Sequence, residues 1–233
     1  MNTDTSSTEA DPPDDSSQFS LKDCVLIAIA TGKRAGNLKE LRDHILTIGT
    51  DSIYYHFWGG LLQPRFEERE YNNDFAGWVR HALHDTKLAE QLSMLDPTSA
   101  TDLEQLRLWL LEYVEDRLEE SEYLQWARAD SQFEFIRSQI VVFDTHTRVA
   151  TARELADAVP NMSPSSVFYH FIDARRRTED RSDDFRAWLL GVGKDAEPLV
   201  DRLAAIDPYY YTLTELRAEL ASAFQKHFQG GGQ

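Results

Sequence analysis

The stretch "DSIYYHFW" at residues 51–58 and its near copy "SSVFYHFI" at residues 165–172 decide how this chain is organised. Each sets a histidine among aromatic and β-branched residues, and the two stand 114 positions apart. Sliding the chain against itself by that amount lays "TGKRAGNLKELRDHI" (31–45) over "THTRVATARELADAV" (145–159). Thr31 then aligns with Thr145, Arg34 with Arg148, Glu40 with Glu154 and Leu41 with Leu155. After a shortening of four residues, "NDFAGWV" (73–79) lies over "DDFRAWL" (183–189), and one inserted residue later "LDPTSATDLEQL" (95–106) lies over "IDPYYYTLTEL" from residue 206. Self-similarity at one long period marks a repeated structural unit.

Working outward, each copy carries helix-start signals. Asn37-Leu-Lys-Glu40 and Thr151-Ala-Arg-Glu154 are capping-box patterns, as are Thr101-Asp-Leu-Glu104 and Thr212-Leu-Thr-Glu215. Apolar residues follow at helical spacing: Leu38, Leu41 and Ile45; Ala152, Leu155 and Val159; Leu103, Leu106, Leu110 and Val114; Leu213, Leu216, Leu220 and Phe224. The third of these helices is expected to run on through "EDRLEESEYLQWARA" and join the copies; the fourth ends near Phe228. Ahead of each copy stands an apolar run, "CVLIAIATG" or "QIVVFDTH", that reads as a short strand, although a buried helix end has the same periodicity. The expected fold is mainly α, with two tandem pseudo-symmetric helical units, each preceded by such a run. Residues 1–18 form an acidic arm too poor in apolar groups to order, 19–128 the first unit, 129–229 the second, and 230–233 a tail.

Bulk properties exclude several classes. A chain of 233 residues with 42% hydrophobic content is ordinary for a globular protein. The longest apolar run, "CVLIAIA" at 24–30, is far short of the roughly 20 residues a membrane span needs. The N-terminus has neither the basic residues nor the apolar core of a signal, so a cytoplasmic location is expected. A net charge of −16, with six lysines against 40 acids, argues against nucleic acid and anionic membranes, whose phosphates call for a basic surface. A lone cysteine, Cys24, rules out an internal disulfide framework, and its apolar setting suggests a small buried hydrophobe.

Chemistry, if present, should lie in what both copies keep. Read as a helix, 51–58 is apolar almost all round, which sandwiches it between layers and turns His56 and His170 inward. A buried imidazole must satisfy its nitrogens, because an unpaired polar group costs about 1–3 kcal/mol. The nearest duplicated candidates are Asp74 and Asp184, each opening D-F-x-x-W, where the preceding Asn73 or Asp183, or the aspartate itself, caps a helix whose Phe75 and Trp78, or Phe185 and Trp188, face the core. The plain expectation is that each histidine tethers its own helix start. A second gathers His56, Asp74, His170 and Asp184 into a two-histidine, two-carboxylate metal site. A third lines a ligand groove with Arg34, Tyr55, His56, Asp74 and Trp78, or with Arg148, Tyr169, His170, Asp184 and Trp188. His81 and His84 read as a surface pair, and "DPYYYT" (207–212) as three exposed tyrosines or a seal over a turn. No glycine-rich phosphate loop, G-x-S-x-G elbow or H-E-x-x-H motif occurs.

Tyr54, Tyr55 and His56, followed by Asn73, Asp74, Phe75 and Trp78 and then by Leu95, Asp96 and Pro97, resemble the motif of an uncharacterised family of prokaryotic domains of unknown function. The resemblance spans residues 20–228 as two copies; the second departs from it at Asp183 and Ile206. It implies a fold unit and no reaction, catalytic residue or cofactor. The expectation is a non-catalytic protein-binding or adaptor protein with a basic protein partner. The alternative is a metal- or small-ligand-binding protein or enzyme built on the duplicated His/Asp/Tyr/Trp set.

Overall fold

The computed structural model describes residues 18–63, 70–178 and 180–230; the expected acidic arm lies almost wholly outside them, and the tail outside but for Gly230. Among the described residues one two-stranded antiparallel sheet forms the spine, built from β1 (Phe19–Ala35) and β2 (Phe133–Val149). Between the strands lie α1 (Leu38–Ile45), α2 (Thr50–Trp58), α3 (Asp74–His81), α4 (Thr86–Ser93) and α5 (Leu103–Glu120). After β2 come α6 (Ala152–Ala158), α7 (Pro164–Val167), α8 (Asp184–Val192), α9 (Glu197–Ala204) and α10 (Leu213–Gly230). A π-type turn, Phe168–Ile172, continues α7 directly.

The expected short strands are corrected here: each is 17 residues long. The apolar runs are only their middles, and pairing with a segment more than a hundred residues away carries them through flanking polar residues. Leu26 lies opposite Ile140, Val25 opposite Val141 and Ala30 opposite Ile136, with irregularities between Leu21 and Lys22 and between Ala30 and Arg34. Gly32 (φ 79°) and His146 (φ 61°) take the left-handed conformation at these irregularities. A glycine holds it at little cost, whereas an L residue is strained there.

The ends of the ribbon enter opposite sets of helices. Phe133 and Phe135, at the start of β2, pack against His56, and Phe133 also against Phe75 and Trp78, all from the helices before it. Phe19, at the start of β1, packs against His170, Phe185 and Trp188, from the helices after β2. Each buried phenylalanine contributes roughly 2–3 kcal/mol of hydrophobic stabilisation.

Local signals account for most helix starts. Asn37 Oδ1 accepts from Glu40 N (2.8 Å), Thr151 Oγ1 from Glu154 N (3.2 Å) and Thr212 Oγ1 from Glu215 N (3.2 Å). At α5 the cap is Asp102, one residue beyond the expected Thr101: Asp102 Oδ1 accepts from Gln105 N, and Gln105 Oε1 reaches back to Thr101 N. The expected extension of α5 through residue 129 is also corrected, since Ser121 turns extended (φ −151°, ψ 109°) and a 3-10 turn follows at Glu122–Gln125. The apolar stripes are buried except at Ala152 and Leu103, which are half-buried.

Candidate functional site

His56 sits on α2, whose residues Ser52 to Trp58 are all buried. Gly49, in extended conformation, precedes the helix, and Gly59 ends it where a β-carbon would come within 2.6 Å of the Tyr55 ring. His56 is only 2% exposed. Its Nδ1 lies 3.0 Å from Asp74 Oδ2, and its Nε2 accepts the backbone N–H of Ile136 at 3.1 Å. An imidazole nitrogen that accepts cannot carry the proton, so Nδ1 holds it and donates to Asp74. Ser52 Oγ donates to the carbonyl of Ile136 at 2.7 Å, so both polar groups of that strand residue end on α2.

The same atoms meet around His170, also 2% exposed. Its Nδ1 lies 2.8 Å from Asp184 Oδ2, its Nε2 accepts from Lys22 N at 2.8 Å, and Ser166 Oγ donates to the Lys22 carbonyl at 2.7 Å. Each histidine therefore fastens a strand edge to a helix start. With both nitrogens bonded inside the fold, neither ring offers a lone pair to a substrate or a metal.

The aspartates open capped helices. Asn73 Oδ1 caps α3 by accepting from Ala76 N (2.9 Å), while its amide donates to Leu92 O (2.9 Å) and reaches Tyr209 Oη (3.4 Å). Asp183 caps α8 from a fully buried position, where burial raises its pKa and an ion pair to Arg186 at 2.6 Å supplies the opposing charge.

The structure disperses the other candidates. Arg34 pairs across the ribbon with Glu134 at 3.2 Å, both exposed, and Arg148 pairs with Asp144 along β2. Tyr55 is buried and its hydroxyl accepts from Gln63 Nε2 (2.7 Å); Tyr169 is buried with the Arg177 guanidinium over its ring at 4.2 Å. Trp78 donates from Nε1 to Ser131 O at 2.8 Å, and Trp188 leans on Phe19. His81 meets Glu70 and His84 meets Asp130, each at the surface. Among the described residues no three His, Cys, Asp or Glu side chains converge as a metal site, so His56, Asp74, His170 and Asp184 remain two separate pairs. Of the three tyrosines read as an exposed patch or a seal over a turn, Tyr209 is buried against Trp58, Tyr211 is half-buried and Tyr210 is open, at 62%.

One cluster escaped the sequence reading. The Tyr54 hydroxyl donates to Asp173 Oδ1 at 3.0 Å, and Asp173, 1% exposed, is held by Arg176 (2.6 Å) and Arg177 (3.1 Å). Arg176 also lies over the Tyr54 ring at 5.0 Å. Burial, then the Asp173 charge, pushes the Tyr54 phenol well above its ordinary range. The available signal was Asp173 with arginines three and four residues on, a spacing that brings side chains together on one turn.

A model described as a family of unknown function, DUF5752, matches residues 16–225. The chain belongs to DUF5752. This DUF5752 chain is also similar to a solved protein described as OrfY from Thermoproteus tenax, with 28% identity and a TM-score of 0.79 over 91% of this chain and 96% of that one. No curated protein matches it.

Proposed function

We propose that this chain is two copies of one helical unit arranged about a pseudo-twofold axis, and that it acts as a non-catalytic protein-binding protein. The duplication is supported by the ladder. Leu26 and Ile140 are 114 residues apart (140 − 26) and face each other directly, as equivalent positions on a twofold axis must. The same separation relates the Ile136 and Lys22 amides, the donors Ser52 and Ser166, and the bonds Thr31 Oγ1 to Phe135 O and Thr145 Oγ1 to Leu21 O.

The binding reading rests on one observation. The duplicated histidines are spent on holding strands, while Val25, Ile27, Val141 and Phe143 stand 43–53% exposed on one face of the ribbon. Contiguous exposed apolar patches are a mark of protein-interaction surfaces. The net charge of −16 favours a basic protein over nucleic acid as the partner.

The test places a photo-crosslinking residue at Val141 and, as a control, at Glu112 on α5, in cells that make the full chain. The expected outcome is a discrete partner crosslinked from position 141 alone and lost in Phe143→Asp. Equal crosslinking from both positions, or turnover of a small molecule by the pure protein that His56→Gln abolishes, overturns the proposal.

A further inference from the structure

Lys22 and Ile136 direct their backbone groups away from the partner strand, since those groups end on His170, Ser166, His56 and Ser52. The register from Ile136 to Asp144 is unbroken, and in an antiparallel ladder alternate residues point the same way. Ile140 and Val142 therefore present N–H and C=O on the outer edge of β2, beyond the place where His56 and Ser52 occupy the position of a third strand. Residues 141–148 are all exposed and Ile140, like Leu26 opposite it, is half-buried; Val142 puts an exposed apolar side chain on its edge, where the equivalent position on β1, Ala28, carries only a methyl group. An apolar edge without charge, "SQIVVF" at 138–143, is the kind that proteins normally cover or blunt.

The occupant follows from area and charge. The exposed apolar side chains of the ribbon offer roughly 400 Å², about half of the roughly 800 Å² per partner that a stable dimer interface needs. Strand addition takes its affinity from main-chain hydrogen bonds instead and works on a smaller footprint. A chain of charge −16 attracts basic segments and repels its own copies. We propose that the outer edge of β2, at Ile140 and Val142, takes an extended, basic segment of a partner protein as a third strand, its apolar side chains resting beside Val141 and Phe143. This rests on the protein-binding reading above and names its surface.

The probe is a short peptide of alternating valine and threonine flanked by lysines, labelled for anisotropy and titrated into the full chain. Binding is expected at micromolar affinity, at least about tenfold weaker when glutamates replace the lysines. N-methylation of alternate amides on one face of the peptide should abolish binding, and methylation of the other face should spare it. Val142→Pro removes an outward N–H without touching the ladder to β1, so it should lose the peptide while keeping its unfolding midpoint. Equal tolerance of both methylation patterns, or no binding by the unmethylated peptide, overturns strand addition. A concentration-dependent dimer that Val142→Pro dissolves assigns the edge to a second copy and overturns the peptide. A crosslinked partner at Val141 that the peptide fails to displace also sinks strand addition, yet leaves the protein-binding reading standing.

Discussion

Replacing His56 by alanine tests whether this buried histidine is a fastening. The substitution removes the acceptor of the Ile136 amide, leaving a half-buried donor unpaired, which costs about 1–3 kcal/mol. It also removes a buried ring packed 4.6 Å from Phe133 and 5.2 Å from Phe75, centroid to centroid. The cavity adds about 1–2 kcal/mol, less than a phenylalanine would because the imidazole is smaller. The expected loss is about 2–5 kcal/mol, a large share of the roughly 5–15 kcal/mol a folded domain possesses. Urea unfolding measures it as a fall in midpoint at constant slope. Ser52→Ala acts on the same strand residue, so the two changes should be non-additive by about 0.5–3 kcal/mol. Hydrogen exchange at the Ile136 amide separates bonding from packing: it should speed up in His56→Ala and stay slow in Phe75→Leu. A loss under about 0.5 kcal/mol, or an Ile136 amide as protected as before, would refute the fastening role.

Three further outcomes follow from single residues. Tyr54 titrates well above its ordinary value in the folded chain, so the stability it contributes is full below the unfolded tyrosine range and declines as pH rises from there toward the folded value; alkaline unfolding followed by phenolate absorbance should therefore come at lower pH for the wild type than for Tyr54→Phe, referenced to each protein's neutral stability. His146 holds φ 61° where Gly32 holds φ 79°, so His146→Gly should stabilise by about 0.5–1 kcal/mol, and Gly32→Ala should destabilise by about 1 kcal/mol, both read from urea midpoints. Cys24 is 2% exposed, and burial, with Asp23 next, pushes its thiol up to about 12; alkylation at pH 8 should be negligible in the native protein and complete in urea.

Helix starts were legible because caps are local: a side-chain oxygen and an amide three residues on need no distant partner. Even there Thr101 and Asp102 compete for one role, and the structure chooses Asp102, since Gln105 then returns the bond to Thr101 N. The end of α5 was not legible, because no glycine or proline marks Ser121. Strand length was hidden for a different reason. Lys22 and Thr31 are polar, and what makes them strand is pairing with Asp144 and the Thr31 bond to Phe135 O, more than a hundred residues away. The partner of His56 Nδ1 could be inferred from the cost of burying an imidazole, but that of Nε2 could not, because which strand amide arrives depends on the register. Asp173 stayed hidden because the residue 114 positions earlier is Gly59, so the self-similarity of the sequence does not mark it.

The fastenings also explain why the ribbon must be long. His56 and Ser52, before β2, hold Ile136 at the start of β2; His170 and Ser166, after β2, hold Lys22 near the start of β1. Each set of helices is thus completed by a strand end that the chain supplies from the other side of the ribbon, with Phe133 and Phe19 as the buried anchors. Between the anchors one face of the ribbon still rests on the helices, with Cys24 in the core, Cys24 Sγ donating to Ser165 O (3.4 Å) and Ile140 packed against the core, and the stretch around Leu26 and Ile140 bridges the two clamps. A bridge held at both ends stays extended without a covering layer on its outer face, so Val25, Ile27, Val141 and Phe143 can remain exposed in a folded chain. In the proposed strand addition the buried histidines act indirectly, by holding an apolar strand edge extended and open to a third strand.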